Sequence, residues 1–172
     1  MERLANPARR RLFRGRVSSK PELRLPWALS EQEFLAKCTQ CKACIEICET
    51  QIIVKDDLGF PKVDFSIDEC TDCKKCIEVC EQPLFKSSEQ MTSESPWPIK
   101  FHIDKKCLAV NEIYCQSCRD VCDSRAIKFD AFSARIPAPE LNNNDCTQCG
   151  ACIPVCPQGA IEHRFISEEI HD

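Results

Sequence analysis

The chain has 172 residues with 16 cysteines, only one Tyr and two Trp, and a formal net charge of -4. That length allows one large domain or two small ones, and so few ordinary core residues leave metal coordination to hold much of the chain together. The charge excludes a nucleic-acid binder, which presents a basic face to phosphates, and no stretch reaches the roughly 18 apolar residues of a membrane helix.

Residues 1–20 carry seven positive charges (Arg3, Arg9, Arg10, Arg11, Arg14, Arg16, Lys20) against Glu2, while the remainder carries 16 positive and 26 negative. The chain is a basic arm (1–29) on an acidic body. Composition makes the arm a solvated tail, or a segment that docks on an acidic partner face. Arg10-Arg11-Leu12-Phe13 looks like a twin-arginine export sequence. An apolar stretch of about 7–15 residues should then follow. The charged, proline-broken segment from Arg14 to Glu22 follows instead. The expectation is no export signal and a cytoplasmic location, where thiols stay reduced.

The first module is expected over 30–85. Its quartets are Cys38, Cys41, Cys44, Cys48 and Cys70, Cys73, Cys76, Cys80, both C-x-x-C-x-x-C-x-x-x-C. Lys42 to Cys48 and Lys74 to Cys80 each fit a short helix carrying the fourth cysteine, so that it points away from the loop holding the first three. Between the quartets, Ile52-Ile53-Val54, a turn at Asp57-Leu58-Gly59 and Pro61-Lys62-Val63-Asp64-Phe65 predict a hairpin. Lys86 to Pro98 is polar and Ser-rich, ends in prolines around Trp97 and reads as a linker (86–98).

The second module is expected over 99–172. Its first quartet, Cys107, Cys115, Cys118, Cys122, is stretched by the insertion within Leu108 to Tyr114; its second, Cys146, Cys149, Cys152, Cys156, is regular. Cys48 lies 74 residues before Cys122 and Cys80 lies 76 before Cys156, so the modules repeat each other. Ala126-Ile127-Lys128-Phe129 and Arg135-Ile136-Pro137-Ala138 with Leu141 suggest a looser second hairpin. Gly150, Ala151 and Ala43 are small enough for backbone amides to approach the sulfurs. Pro157 follows the last quartet, where the others have Glu49, Glu81 and Asp123; these carboxylates either disfavour adding an electron nearby or simply face water.

Four thiolates can bind zinc, form disulfides or hold an iron–sulfur cube. Structural zinc takes two close pairs separated by a longer loop, and cysteines three apart in a tight loop are poor disulfide partners. Three successive spacings of three instead wrap three corners of one object, with the fourth cysteine expected on the neighbouring cluster. The fold class expected is α+β, two tandem bacterial 2[4Fe–4S] ferredoxin-like modules with little regular secondary structure. The ligand sets are Cys38, Cys41, Cys44, Cys80 (set 1); Cys70, Cys73, Cys76, Cys48 (set 2); Cys107, Cys115, Cys118, Cys156 (set 3); and Cys146, Cys149, Cys152, Cys122 (set 4). Cys107 is the weakest member, since the insertion must loop out, and three clusters with a degenerate third site is the alternative.

The whole chain resembles the NapF-type ferredoxin proteins encoded with periplasmic nitrate reductase. The resemblance rests on Arg10-Arg11-Leu12-Phe13-Arg14-Gly15-Arg16, Pro26-Trp27, Phe34-Leu35 before Cys38-Thr39-Gln40-Cys41, and the stretched Cys107-Leu108-Ala109 … Cys115-Gln116-Ser117-Cys118. It implies a cytoplasmic protein with four [4Fe–4S] clusters that contacts the precursor of the molybdenum-containing catalytic subunit NapA and assists its maturation before export. The residues themselves support single-electron transfer and show no catalytic site. His102, His163 and His171 sit among polar residues as surface histidines would. Three functions stay open: a maturation factor, a plain electron carrier or electron-input subunit, and a zinc-stabilised interaction module.

Overall fold

A computed structural model describes residues 21–130 and 134–166. The basic segment 1–20, its twin-arginine-like sequence, and His171 lie outside the described residues. Among those described, five short helices and three two-stranded antiparallel sheets hang on long stretches of turn and irregular chain. No helix among them is long and apolar enough to cross a membrane.

Helix α1 (Glu31–Lys37) is the one most clearly set by its own sequence. Ser30 caps it by accepting from the Glu33 amide, acids fill its first turn and Lys37 its last, each placed to favour the helix dipole. Phe34 is its fully buried residue. Helices α2 (Ala43–Glu46) and α3 (Lys75–Glu78) are single turns, each entered through a left-handed lysine, Lys42 at φ 73° and Lys74 at φ 59°. They stop at Ile47 and Val79, so Cys48 and Cys80 lie just beyond the helices expected to carry them. The reason is local: Cys48 is followed at Gln51 by another left-handed residue (φ 56°) that turns the chain toward the hairpin.

That hairpin forms as the alternation predicts. Strand β1 (Ile53–Lys55) pairs with β2 (Pro61–Val63) in the register Ile53↔Val63, Val54↔Lys62, Lys55↔Pro61. Asp56 closes the turn by accepting from the Leu58 and Phe60 amides, with Gly59 at φ 89°. The second hairpin differs from its expectation. Strand β4 (Ile127–Phe129) forms within the predicted stretch, and its partner β5 is Pro139–Leu141, which includes the expected Leu141 but not the stretch from Arg135 to Ala138. A third pair joins β3 (Ile99–Ile103) to β6 (Ile161–Phe165), the two ends of the second half.

The segment 86–98, linker-like in composition, carries helix α4 (Ser88–Ser93). A capping box starts it: Ser87 accepts from the Gln90 amide while the Gln90 side chain accepts from Ser87 N–H. Trp97 is then buried, its indole N–H donating to Arg24 O at 2.8 Å. Leu23, Leu25 and Trp27, from the end of the stretch read as the arm, are buried too. Arg24 sits among them, gripping both Glu31 oxygens at 2.7 Å, Asp56 at 2.9 Å and Pro61 O at 3.0 Å. Its guanidinium also lies over the Phe34 and Phe60 rings.

One continuous core results. Leu23, Leu25, Phe34, Ile52, Ile53, Val63, Phe65, Leu84, Trp97, Ile99, Phe101 and Ile161 form a single buried cluster with Cys76. Around its rim lie half-buried cysteines from all four quartets, including Cys38, Cys48, Cys118 and Cys156.

Candidate metal centre

The sixteen cysteines are all free thiols, and they fall into four groups that mix the quartets. Cys38, Cys41, Cys44 and Cys80 line one cavity of about 290 Å³, walled by Leu25, Phe34, Leu84 and Phe85. Cys48 lines a smaller one with Cys70, Cys73 and Cys76. Cys107, Cys115, Cys118 and Cys156 share a third, backed by Ile103, Phe129 and Ile161. Cys122 lies near Cys146, whose thiol is in turn close to Cys149 and, through it, to Cys152. In the first three groups the fourth cysteine of one quartet meets the first three of another, and in the fourth Cys122 is near Cys146.

Electrostatics reports the same neighbours. Burial, followed by like-charge repulsion from Cys38, Cys41 and Cys80, pushes the Cys44 thiol up to about 11. Burial and then Cys70, Cys44, Cys73 and Cys48 push Cys76 up to about 12. Burial and then Cys107 act on Cys118, which reaches about 11. Burial followed by Cys146, Cys149 and Cys118 takes Cys152 to about 12. A cation in their midst would favour the thiolate form that burial and neighbouring sulfurs disfavour.

The loops are shaped to bring amides to sulfur. Gln40, Asp72 and Gln148, each two residues past the first cysteine of a quartet, adopt φ of 58°, 53° and 61°. Their amides turn inward onto Cys38, Cys70 and Cys146, offsetting part of the burial penalty on those thiols. The Gln148 contact measures 3.4 Å, and Ala160 N–H approaches Cys156 Sγ at 3.3 Å. Hydroxyls join in: Thr50 lies 3.7 Å from Cys48 Sγ, and Ser124 lies 3.6 Å from Cys122 Sγ. At Cys122 burial alone would raise the thiol, but Ser124 and the amides of Ile127, Ala126 and Arg125 outweigh it and hold it below its ordinary value. These donors suit a sulfur that carries negative charge permanently, as a metal-bound thiolate does.

The stretched third quartet uses different geometry. Gln116, just after Cys115, has φ -137°, where Lys42, Lys74 and Gly150 are left-handed. The insertion instead closes on itself: Ile113 N–H donates to Leu108 O at 2.9 Å, and the Asn111 side chain donates to Lys105 O and Cys107 O. Ala109 is buried beneath it. This closed turn absorbs the extra residues and leaves Cys107 beside Cys115 and Cys118. It also leaves Val110, Ile113 and Tyr114 exposed, Tyr114 by 73 %.

The donor set fits an iron–sulfur cube better than a single ion. Among the described residues, no three His, Cys, Asp or Glu side chains converge closely enough to hold one metal ion. Thiolates surround a space instead, and all-thiolate ligation with amides aimed at sulfur matches a [4Fe–4S] site. Cys41 and Cys73 are exposed while the other fourteen are half-buried or buried. Glu49, Glu81 and Asp123 face solvent, Glu49 paired with Lys75. His102 is exposed on β3, and His163 on β6 stacks edge-on to Phe165.

Sequence reasoning missed Thr50, Ser124, Gln148 and Phe65. The first two had a visible signal, a hydroxyl residue two positions after the last cysteine of quartets one and three. Gln148 and Phe65 had none, because their roles depend on partners far along the chain.

Comparison with known proteins agrees with this site. A family model described as a 4Fe-4S dicluster domain matches residues 37–82 and again 113–160. The chain is 41 % identical over 167 residues to the ferredoxin-type protein NapF of Haemophilus influenzae, covering 91 % of this chain and 93 % of that protein. It is 35 % identical over 160 residues to ferredoxin-type protein NapF of Escherichia coli K12, covering 92 % and 95 %. It is also 27 % identical over 170 residues to the methylamine utilization ferredoxin-type protein MauM of Methylorubrum extorquens, covering 86 % of this chain and 74 % of that protein. Tandem dicluster domains, matches to two NapF proteins along more than nine-tenths of the chain and cysteine-lined sites together make this an iron–sulfur electron-transfer protein, and the chain belongs to the NapF-type ferredoxin family.

Proposed function

We propose that the chain is a cytoplasmic protein with four [4Fe–4S] clusters that assists maturation of the molybdenum-containing catalytic subunit NapA of periplasmic nitrate reductase before its export. The observation that carries this reading is the similarity to NapF proteins along more than nine-tenths of the chain, at 41 % and 35 % identity. It acts as an electron-transfer and maturation accessory, not as an enzyme. The architecture is two tandem bacterial-ferredoxin-like modules, 30–85 and 99–172, each holding two clusters. Sets 1 to 4 above are the ligands, and the shared cavity of Cys107 with Cys115, Cys118 and Cys156 supports a full third site.

When bound, each cluster supplies reversible uptake of a single electron. The chain's own residues do the rest. Thiolates fix the group, the amides of Gln40, Asp72, Gln148 and Ala160 stabilise charge on sulfur, and the apolar walls around Leu25, Phe34 and Phe85 exclude water.

A pull-down from anaerobic cytosol tests the role, with the loaded protein as bait and its iron and sulfide counted first. About sixteen irons per chain, as four [4Fe–4S] cubes require, with immature NapA captured, is the expected result. The same iron count with only finished redox enzymes captured would assign the chain to plain electron carriage instead.

A further inference from the structure

Resting on the four ligand sets just proposed, the positions of the sets relative to one another carry a further reading. Within the first half, α2 and α3 pack together, α2 carrying Cys44 of set 1 and α3 carrying Cys76 of set 2. Within the second half, Cys122 of set 4 follows Cys118 of set 3 by four residues and Cys156 of set 3 follows Cys152 of set 4 by four, and Cys118 and Cys156 line one cavity, so the two sets are adjacent. Between the halves, Cys70 N–H of set 2 donates directly to Cys149 O of set 4 at 2.7 Å.

This middle contact is built, not incidental. Gly150, next to Cys149, has φ +83°, and a Cβ there would come within 2.2 Å of the Phe65 ring. Phe65 comes from the end of the first hairpin, five residues before Cys70. It is wedged edge-on between Trp97, at 5.3 Å, and Phe101, at 5.9 Å. Gln148, two residues before Gly150, accepts from Trp97 N–H at 3.1 Å and donates to Ile99 O at 2.6 Å. The loop of set 4 is thereby bolted to the same aromatic group that seats the loop of set 2. Only glycine at 150 permits that approach.

We infer that electrons cross the protein in the order set 1, set 2, set 4, set 3, which is not the order of the sequence, and that Gly150 and Phe65 are the positioning residues of the middle step. Each step would move one electron, lost by the cluster that the giving set holds and gained by the cluster that the receiving set holds, with no bond or proton exchanged. A low-potential one-electron donor supplies the first electron at one end, and a one-electron acceptor removes it at the other. The ends are set 1 and set 3, the latter flanked by exposed Val110, Ile113 and Tyr114.

Magnetic coupling between reduced clusters reads adjacency without any activity assay. A full-length variant keeping only the inner sets (Cys38→Ala, Cys41→Ala, Cys107→Ala, Cys115→Ala) should bind about eight irons, two cubes. Reduced with dithionite, it should give a spin-coupled, broadened electron paramagnetic resonance spectrum. The converse variant keeping only the outer sets (Cys70→Ala, Cys73→Ala, Cys146→Ala, Cys149→Ala) should give two isolated signals. Isolated signals from the inner-set variant at full iron content would overturn the order. An iron count well short of eight would overturn the ligand assignment itself, and the order with it. Should loss of ligands prevent folding, Gly150→Ala in the otherwise complete chain tests the middle step on its own. At wild-type iron content it should lose part of the coupling broadening, and an unchanged spectrum would refute the positioning role.

Discussion

Arg24 is a buried cation with a 6 % exposed side chain, held between Glu31 and an Asp56 that is 3 % exposed. Burial opposes its charge, yet the hydrogen bonds and attraction of the two carboxylates prevail, and its protonated form is reinforced. Asp56 keeps two amide donors whatever happens to Arg24. Arg24→Ala should therefore cost about 3 kcal/mol, the low end for breaking a buried pair. Chemical denaturation of the loaded protein measures this. The thiols make a second residue-scale prediction. Cys44, Cys70 and Cys118 are pushed up to about 11 and Cys76 and Cys152 to about 12, so all five are protonated at neutral pH in the metal-free site. Ligation requires the thiolate. Cluster assembly must then release protons, and reconstitution in weakly buffered solution should acidify it, as an indicator dye would record. A pH that stays flat as iron enters would contradict this.

At the scale of elements, the third quartet is the informative case. Its closed insertion sets Cys107 beside Cys115 and Cys118, so Cys107→Ala should reduce the iron content by up to about four atoms, one cube. Unchanged iron would show that Cys107 is not required. Helix α4 offers a smaller effect: Ser87→Ala removes the cap and should cost about 1 kcal/mol, visible in thermal unfolding. What the sequence disclosed also divides at this scale. The first hairpin was legible because the apolar run Ile52-Ile53-Val54 and the alternating Pro61, Val63 and Phe65 flank a Gly-containing turn, a purely local pattern. The second was only partly legible: Leu141 belongs to it as read, pairing with Ile127, but Arg135 to Ala138 precede the strand and Phe129 pairs with Pro139. The β3–β6 pair went unread, since Ile99 and Phe165 meet only after the whole second half has folded. Trp97 was hidden in the same way: serines and prolines around it say linker, while Arg24 and Gln148, which bury it, lie far off in sequence. The cysteine groups were the most legible feature, because ligand spacing is itself local and each quartet repeats.

For the molecule as a whole, a single modest core has cysteines from every quartet along its rim. Metal and core are thus one structure, and the fold should not outlast its iron. Extraction with a strong chelator under anaerobic, reducing conditions should abolish the ordered β signal in circular dichroism. Retention of that signal in iron-free protein would show that the apolar cluster suffices alone. The distribution of cysteine exposure has a different consequence, for the way the molecule dies in air. Cys41 and Cys73 are the two exposed cysteines, and both belong to the first half. Dioxygen and peroxide reach solvent-facing sulfur first. Oxidative damage should therefore begin at these two positions, so that mass spectrometry of briefly aerated protein finds sulfinic or sulfonic acid there while the cysteines of the second half are still intact. The two ends of the chain would age at different rates, with the first half acting as a sacrificial fuse for the second.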